Sequence, residues 1–336
     1  MRFTIPGFGK GTIPLVAVAV VLAVLPVVGI AQRWLLYLLL FFVYLAIANM
    51  WNLHCGYSGL ITMCFPAFIG LGGYTMVIAA WVGIPIPLGI IAGAMVAVLF
   101  ALLISFPVFR LGGVYFAIGT LILPEVMKQV FLLWRPVGEG AVGKGAGYML
   151  KGATAFSLGD VYWMALAVGI GSIIAMRFVL NSRLGLGLAA IRDNDKTAAS
   201  SGVGVFRLKL YSFMMGAFVT GLAGAIYYVR QAYIEPVSAF SISWSMTAII
   251  AAVVGGLRTE QGPIVGTIIV VFLHFLLARY PGYSLILQGV ILIAVMLAAP
   301  QGIVGVIDRL RGIRVHRATL RLATSIADRI KGKGNM

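Results

Sequence analysis

Two stretches of this sequence have the outline of nucleotide-binding motifs. Gly138-Glu139-Gly140-Ala141-Val142-Gly143-Lys144-Gly145 reads G-x-x-x-x-G-K-G. A phosphate-binding loop needs Ser or Thr after the lysine, because that hydroxyl holds Mg²⁺, and Gly145 has none. Gly185-Leu186-Gly187-Leu188-Ala189-Ala190 has the form G-x-G-x-x-A. A dinucleotide fingerprint needs a preceding strand and an acidic residue about twenty positions on; here an apolar helical run precedes it and Phe206 and Arg207 stand downstream. Both motifs are rejected. His54, His274 and His316 are scattered. Cys55 and Cys64 have neither disulfide-framework nor metal-ligand spacing and read as buried free thiols. No Ser/His/Asp set or carboxylate pair supports catalysis. The chain is expected to have no enzymatic activity and no bound cofactor or metal.

Two polar features remain. Pro124-Glu125-Val126-Met127-Lys128 lies inside an apolar run. Ionisable groups in a membrane are costly and face a bundle interior or a wet cavity, and Glu125 and Lys128, three apart, share a helix face. They are either an ion pair holding helices together or a polar point on a solute route, with Lys128 also able to snorkel toward the outer end. Pro124 removes a backbone donor and frees a carbonyl. The second feature is the stretch 181–209, NSRLGLGLAAIRDNDKTAASSGVGVFRLK. Leu188, Ile191 and, less regularly, Ala198 and Ala199 predict a short amphipathic helix with Arg192, Asp193, Asp195 and Lys196 on its wet side, ended by Gly202. Such a helix transmits force if a partner grips it; the alternative is an ordinary interhelical loop.

The elements that hold these features follow from solvent. Of 336 residues, 61% are apolar and 10% charged, with mean hydropathy +1.05. The apolar residues fall in runs of about 17–25, the length that crosses a bilayer as a helix, and not in the alternating segments of a membrane barrel. The runs 12–30, 34–52, 60–81, 86–107, 113–134, 161–180, 206–229, 243–257, 262–279 and 283–299 predict an all-α, polytopic bundle of about ten transmembrane helices. The Gly-rich stretches 59–73 and 255–266 are candidates for broken or re-entrant helices. Gly89-x-x-x-Gly93, Gly262-x-x-x-Gly266 and Gly216, Gly221 and Gly224 are close-packing signals.

The net charge of +16 does not point to nucleic acid, because the charges sit between the runs and in the tail. With the N-terminus inside, alternation places 18 of the 25 Lys and Arg residues inside, so both termini are expected to be cytoplasmic. The first run, preceded by Arg2 and Lys10, is longer than a signal-peptide core and is read as a retained helix. The tail 308–336 is basic and weakly amphipathic, read as lying on the anionic inner leaflet or as touching a cytoplasmic partner. The chain thus divides into a transmembrane domain, 1–307, carrying the cytoplasmic loop 181–209, and the tail.

The loop resembles the ATPase-coupling loop of LivM-type permeases, subunits of branched-chain amino acid ABC importers related to urea and amide permeases. The matching residues are Ser182, Arg183, Gly185, Ala190, Arg192, Asp193, Ala198, Ala199 and Gly202. Further similar stretches are GYSGLITMCFPAFIGLGGYT (56–75), FRLGGVYFAIGTLILPEVMK (109–128), GAFVTGLAGAIY (216–227), GGLRTEQGPIVG (255–266) and PQGIVG (300–305), so the resemblance covers residues 34–307. Two stretches depart from the family pattern: GEGAVGKGAG stands in place of a Thr-Gly-Gly-Ser type, and Thr62-Met63-Cys64 in place of Ser-Leu-Gly.

The resemblance implies an inverted repeat of the type II importer kind in a bacterial or archaeal cytoplasmic membrane. Its implied partners are a second, homologous permease, two ATPase subunits that bind ATP and Mg²⁺, and an extracytoplasmic substrate-binding protein. The implied activity is import of branched-chain or related amino acids by alternating access. Urea or amide import and ion-coupled secondary transport are the alternatives. Arg183, Arg192, Asp193, Asp195, Lys196, Ala198, Ala199 and Gly202 are the coupling candidates; Glu125, Lys128, Gly72 and Tyr74 are the translocation-pathway candidates.

Overall fold

Apolar runs of this length leave the backbone no hydrogen-bond partner but itself, so they fold as helices. The computed structural model describes residues 12–134 and 147–277, with isolated positions between 286 and 305. The basic tail, the G-x-x-x-x-G-K-G stretch and most of the run 283–299 lie outside the described residues.

The chain runs α1 (Thr12–Val24), α2 (Gln32–Asn52), α3 (Phe65–Trp81), α4 (Ile86–Val108), α5 (Val114–Leu133) and α6 (Leu158–Leu180). Two short helices follow, α7 (Arg183–Asp193) and α8 (Asp195–Ser200), then α9 (Val205–Gln231), α10 (Pro236–Ala239), α11 (Ser243–Gly255) and α12 (Gly262–Leu277). Beyond the all-α expectation there is one antiparallel pair of two-residue strands, β1 (Tyr148–Met149) and β2 (Tyr233–Ile234), with Tyr148 opposite Ile234.

Among the described residues, six segments are long and apolar enough to span a membrane: Gln32–Tyr57, Ile86–Val108, Val114–Leu133, Leu158–Leu180, Val205–Gln231 and Pro236–Gly255. Phe65–Trp81 and Gly262–Leu276 are apolar but shorter. Of the expected first span, the described residues form a helix from Thr12 to Val24, which stops short of Pro26. It is tied to α6 by Tyr162 Oη donating to the Leu22 carbonyl (2.8 Å) and Trp163 Nε1 to Ala23 (3.1 Å).

The expected run 60–81 becomes helical only at Phe65. Residues Leu53–Tyr57 make a π-helical turn, and Gly59 takes φ +71°. The π turn marks a break in the regular ladder, so α2 and α3 are joined by irregular backbone within apolar sequence.

The centre of the bundle is α2, α3 and α9: 67% and 72% of the most apolar windows of α2 and α9 are buried, against 22% for α5 and 28% for α6, and α3 is buried along nearly its whole length. Close approach rests on glycine. A Cβ on Gly72 of α3 would overlap the Gly221 carbonyl of α9, and one on Gly93 of α4 would overlap the Gly72 carbonyl. In the α11–α12 pair, a Cβ on Gly255 would overlap Gly262, and one on Gly266 would overlap the Ala251 carbonyl. Small residues let backbones touch where lipid offers no hydrophobic drive to association.

Candidate functional site

The stretch 181–209 forms two helices where one was expected, because Asn194 breaks the pattern. Ser182 caps α7, its Oγ accepting from the Leu184 amide at 3.1 Å. Asn194 sits extended at φ −163° and caps α8, its Oδ1 accepting from the Lys196 and Thr197 amides, both at 3.0 Å. Gly202, at φ +81°, donates to Ala199 (3.0 Å), and Val203 donates to Ala198 (3.1 Å). That pair of bonds is the Schellman geometry, with glycine at the left-handed position. Gly202 thus closes α8, as its position after the polar helix predicts.

Leu188 and Ile191 are buried, and α7 packs on the end of α6, on α9 and on the π turn. Gly185 permits this fold-back, since a Cβ there would stand 2.7 Å from the carbonyls of Val179 and Leu180. Ala198 is buried; Ala199, Asp193, Asp195 and Lys196 are exposed. Asp195 pairs with Lys209 at 2.5 Å, and Arg192 with the adjacent Asp193 at 2.8 Å. Each pair joins an exposed carboxylate to a mostly buried cation, with 22% of the Arg192 and 13% of the Lys209 side chain exposed; with one partner in solvent such a pair contributes up to about 1 kcal/mol. Arg183 and Arg207 line a groove of about 560 Å³ between α7 and the start of α9, with Leu186 and Tyr211 on its walls.

Arg192 was expected on the wet side, but only 22% of its side chain is exposed. It lies against the α2–α3 break: Nη1 approaches the Gly56 carbonyl at 3.5 Å, and a Cβ on Gly59 would stand 3.3 Å from its Cα and Cγ. Side chains that the sequence reading did not single out satisfy the break. Trp51 Nε1 donates to the Thr62 carbonyl (3.0 Å), Met63 N donates to Thr120 Oγ1 on α5 (3.0 Å), and Ser245 Oγ on α11 donates to the Met63 carbonyl (3.0 Å). Asn52 accepts from the Arg258 amide and donates to the Thr259 carbonyl, each at 3.0 Å, tying α2 to the α11–α12 turn. Their one sequence signal is polarity inside apolar runs, where a buried polar group needs a partner. The α7 helix, the irregular segment and α5 are therefore in one connected path.

Glu125 and Lys128 pair within α5 at 2.6 Å, and Gln129 donates to the same carboxylate at 3.2 Å. The pair does not join two helices. Glu125 lies toward the open side of α5, with 57% of its side chain exposed, near exposed Ile122, Val126 and Val130. Lys128 is only 23% exposed and follows Pro124 by one helical turn, so it shares the side of the buried Phe116, Thr120, Pro124 and Phe131, and α5 runs through Pro124 without a break. Gly72 is a buried contact between helices. Tyr74 is buried, its ring stacked on Phe240 (5.9 Å, 6°) and 4.3 Å from Phe131.

The sequence was compared with known proteins. The family model described as "Branched-chain amino acid transport system / permease component" matches residues 34–300. The high-affinity branched-chain amino acid transport system permease protein LivM of Escherichia coli (strain K12) is 26% identical over 293 residues, covering 78% of this chain and 67% of that protein. The probable branched-chain amino acid transport permease protein LivH of Methanocaldococcus jannaschii is 28% identical over 161 residues, 45% of this chain and 50% of that protein. The ribose import permease protein RbsC of Haemophilus influenzae is 26% identical over 166 residues, 47% and 49% of the two chains. No solved structure matches. The family match takes in the stretch 181–209, the α2–α3 break and the polar residues of α5, and the chain belongs to the family of permease components of branched-chain amino acid transport systems.

Proposed function

We propose that this permease subunit moves a branched-chain or related amino acid into the cell by alternating access, using ATP hydrolysed on two separate ATPase subunits. The observation that carries the reading is the placement of Arg192. It sits on the loop helix and rests against the one stretch of irregular backbone that continues, through Met63, to α5 and α11. A motor gripping α7 and α8 from the groove beside Arg183 then pushes on the segment that can change shape. The polar pair of α5, Glu125 and Lys128, is read as lining the route against a second, homologous permease. An extracytoplasmic binding protein delivers the solute.

On this reading the chain has about ten spans, both termini are cytoplasmic, and α1–α5 and the segments from α6 onward are inverted halves. Two features support the repeat. Each half interrupts its third span, before Phe65 in one and between Ala239 and Ser243 in the other. The neighbours also correspond: α3 packs on α4 and α9, and α11 packs on α12 and α2.

The test is Arg192→Glu in the assembled transporter. The variant inserts normally and its partners still hydrolyse ATP, while uptake falls at least about tenfold. Normal uptake rejects the coupling role, and uptake by the purified chain alone on an ion gradient rejects the ATP-driven reading.

A further inference from the structure

On the topology proposed above, the α9–α11 connection lies toward the outer side, where solute arrives. Beside it is a cavity of about 380 Å³. Tyr44 of α2, Tyr227 of α9 and Trp244 of α11 form one wall, and His274 of α12 lies beside Tyr44, ring centroids 6.4 Å apart. The Tyr227 and Trp244 centroids are 4.8 Å apart at 86°, and those of Tyr44 and Trp244 are 5.9 Å apart at 64°. Two of the rings are tethered: Trp244 Nε1 donates to the Ser238 carbonyl (3.0 Å), and Tyr227 Oη accepts from Gln231 Nε2 (2.9 Å).

A half-buried carboxylate, Glu235, closes another side. It has no ion-pair or side-chain hydrogen-bond partner among the described residues. A partly buried carboxylate with no cation beside it favours one that arrives, and ring faces also attract cations. Hydroxyls add the other sign. Ser243 Oγ accepts from Ser241 Oγ at 3.0 Å, which leaves its own proton free to donate at the N-terminal end of α11, the end of a helix that favours negative charge.

We infer that this cavity binds the primary ammonium group of the transported solute between Tyr44, Tyr227, Trp244 and Glu235, with the solute's carboxylate held at Ser243. The inference rests on the permease reading and makes it specific: the solute is a free amino acid, and its amino group is read by the membrane subunit itself.

The probes are L-leucine, isoamylamine, which lacks the carboxylate, and 4-methylpentanoate, which lacks the amine. Binding is measured calorimetrically on the full chain in nanodiscs. Leucine and isoamylamine bind saturably and 4-methylpentanoate does not. Glu235→Gln weakens both amines at least about tenfold, Glu235→Asp restores most of the loss, and Ser243→Ala weakens leucine but not isoamylamine. Tyr227→Leu, away from the strand pair, is the second arm if Glu235→Gln fails to fold. Equal binding of 4-methylpentanoate, no saturable amine binding, or undiminished amine binding in the folded Glu235→Gln or Tyr227→Leu variant overturns the inference. Arg192→Glu separates the two claims: it leaves leucine binding intact and abolishes uptake. Retained uptake there sinks the coupling reading without touching the cavity.

Discussion

Gly202→Pro measures how much the loop 181–209, proposed to couple to the ATPases, depends on one backbone conformation. At φ +81° the glycine amide donates to Ala199 at 3.0 Å. Proline fixes φ near about −65° and carries no N–H. The lost bond costs about 1 kcal/mol, and the reversed φ adds at least about another 1 kcal/mol. The sum, about 2–3 kcal/mol, is a roughly 30- to 150-fold shift toward an open α8. The shift stays local, because α8 has six residues, Ala198 alone of them is buried, and a helix of that length has little stability of its own. The anchors of α7, Leu188 and Ile191, are untouched.

Gly202→Ala is the internal control. A Cβ there meets nothing within 4 Å and the N–H remains, so the cost is the left-handed penalty alone, about 1 kcal/mol. Hydrogen exchange over residues 195–203 reads the opening directly, and uptake per ATP hydrolysed in the assembled transporter reads its consequence. The order wild type, Ala, Pro is expected in both. Unchanged exchange protection in Gly202→Pro refutes the cap argument; lost protection with unchanged uptake per ATP refutes the coupling argument and leaves the cap intact.

Gly266→Ala should destabilise the chain more than Gly202→Ala, because its methyl would overlap the Ala251 backbone carbonyl and cannot be relieved by a side-chain rotation; the check is a lower thermal midpoint in detergent, and an unchanged midpoint counts against the α11–α12 packing. Glu125→Ala should lower uptake and, by leaving the mostly buried Lys128 without its partner, lower that midpoint as well; normal uptake removes α5's polar residues from the route.

Much of this protein is written in its sequence. The apolar runs fix helices, because lipid leaves the backbone no other partner. Gly202 announced the end of a polar helix, and the glycine pairs announced contacts between helices. Other features needed the third dimension. The division at Asn194 turned on a local cap winning over periodicity, because its Oδ1 satisfies two amides at the start of α8. Gly72 and Tyr74 drew attention as pathway residues, yet they are buried among partners about 20 to 165 positions away along the chain, and no local pattern encodes such meetings. Arg192 read as a solvated charge, and only the fold-back of α7 onto the π turn put it against Gly56 and Gly59. The aromatic cavity likewise draws its walls from five helices, α2, α9, α10, α11 and α12. Periodicity decides which residues form a helix, while the packing of helices against one another decides which of them meet.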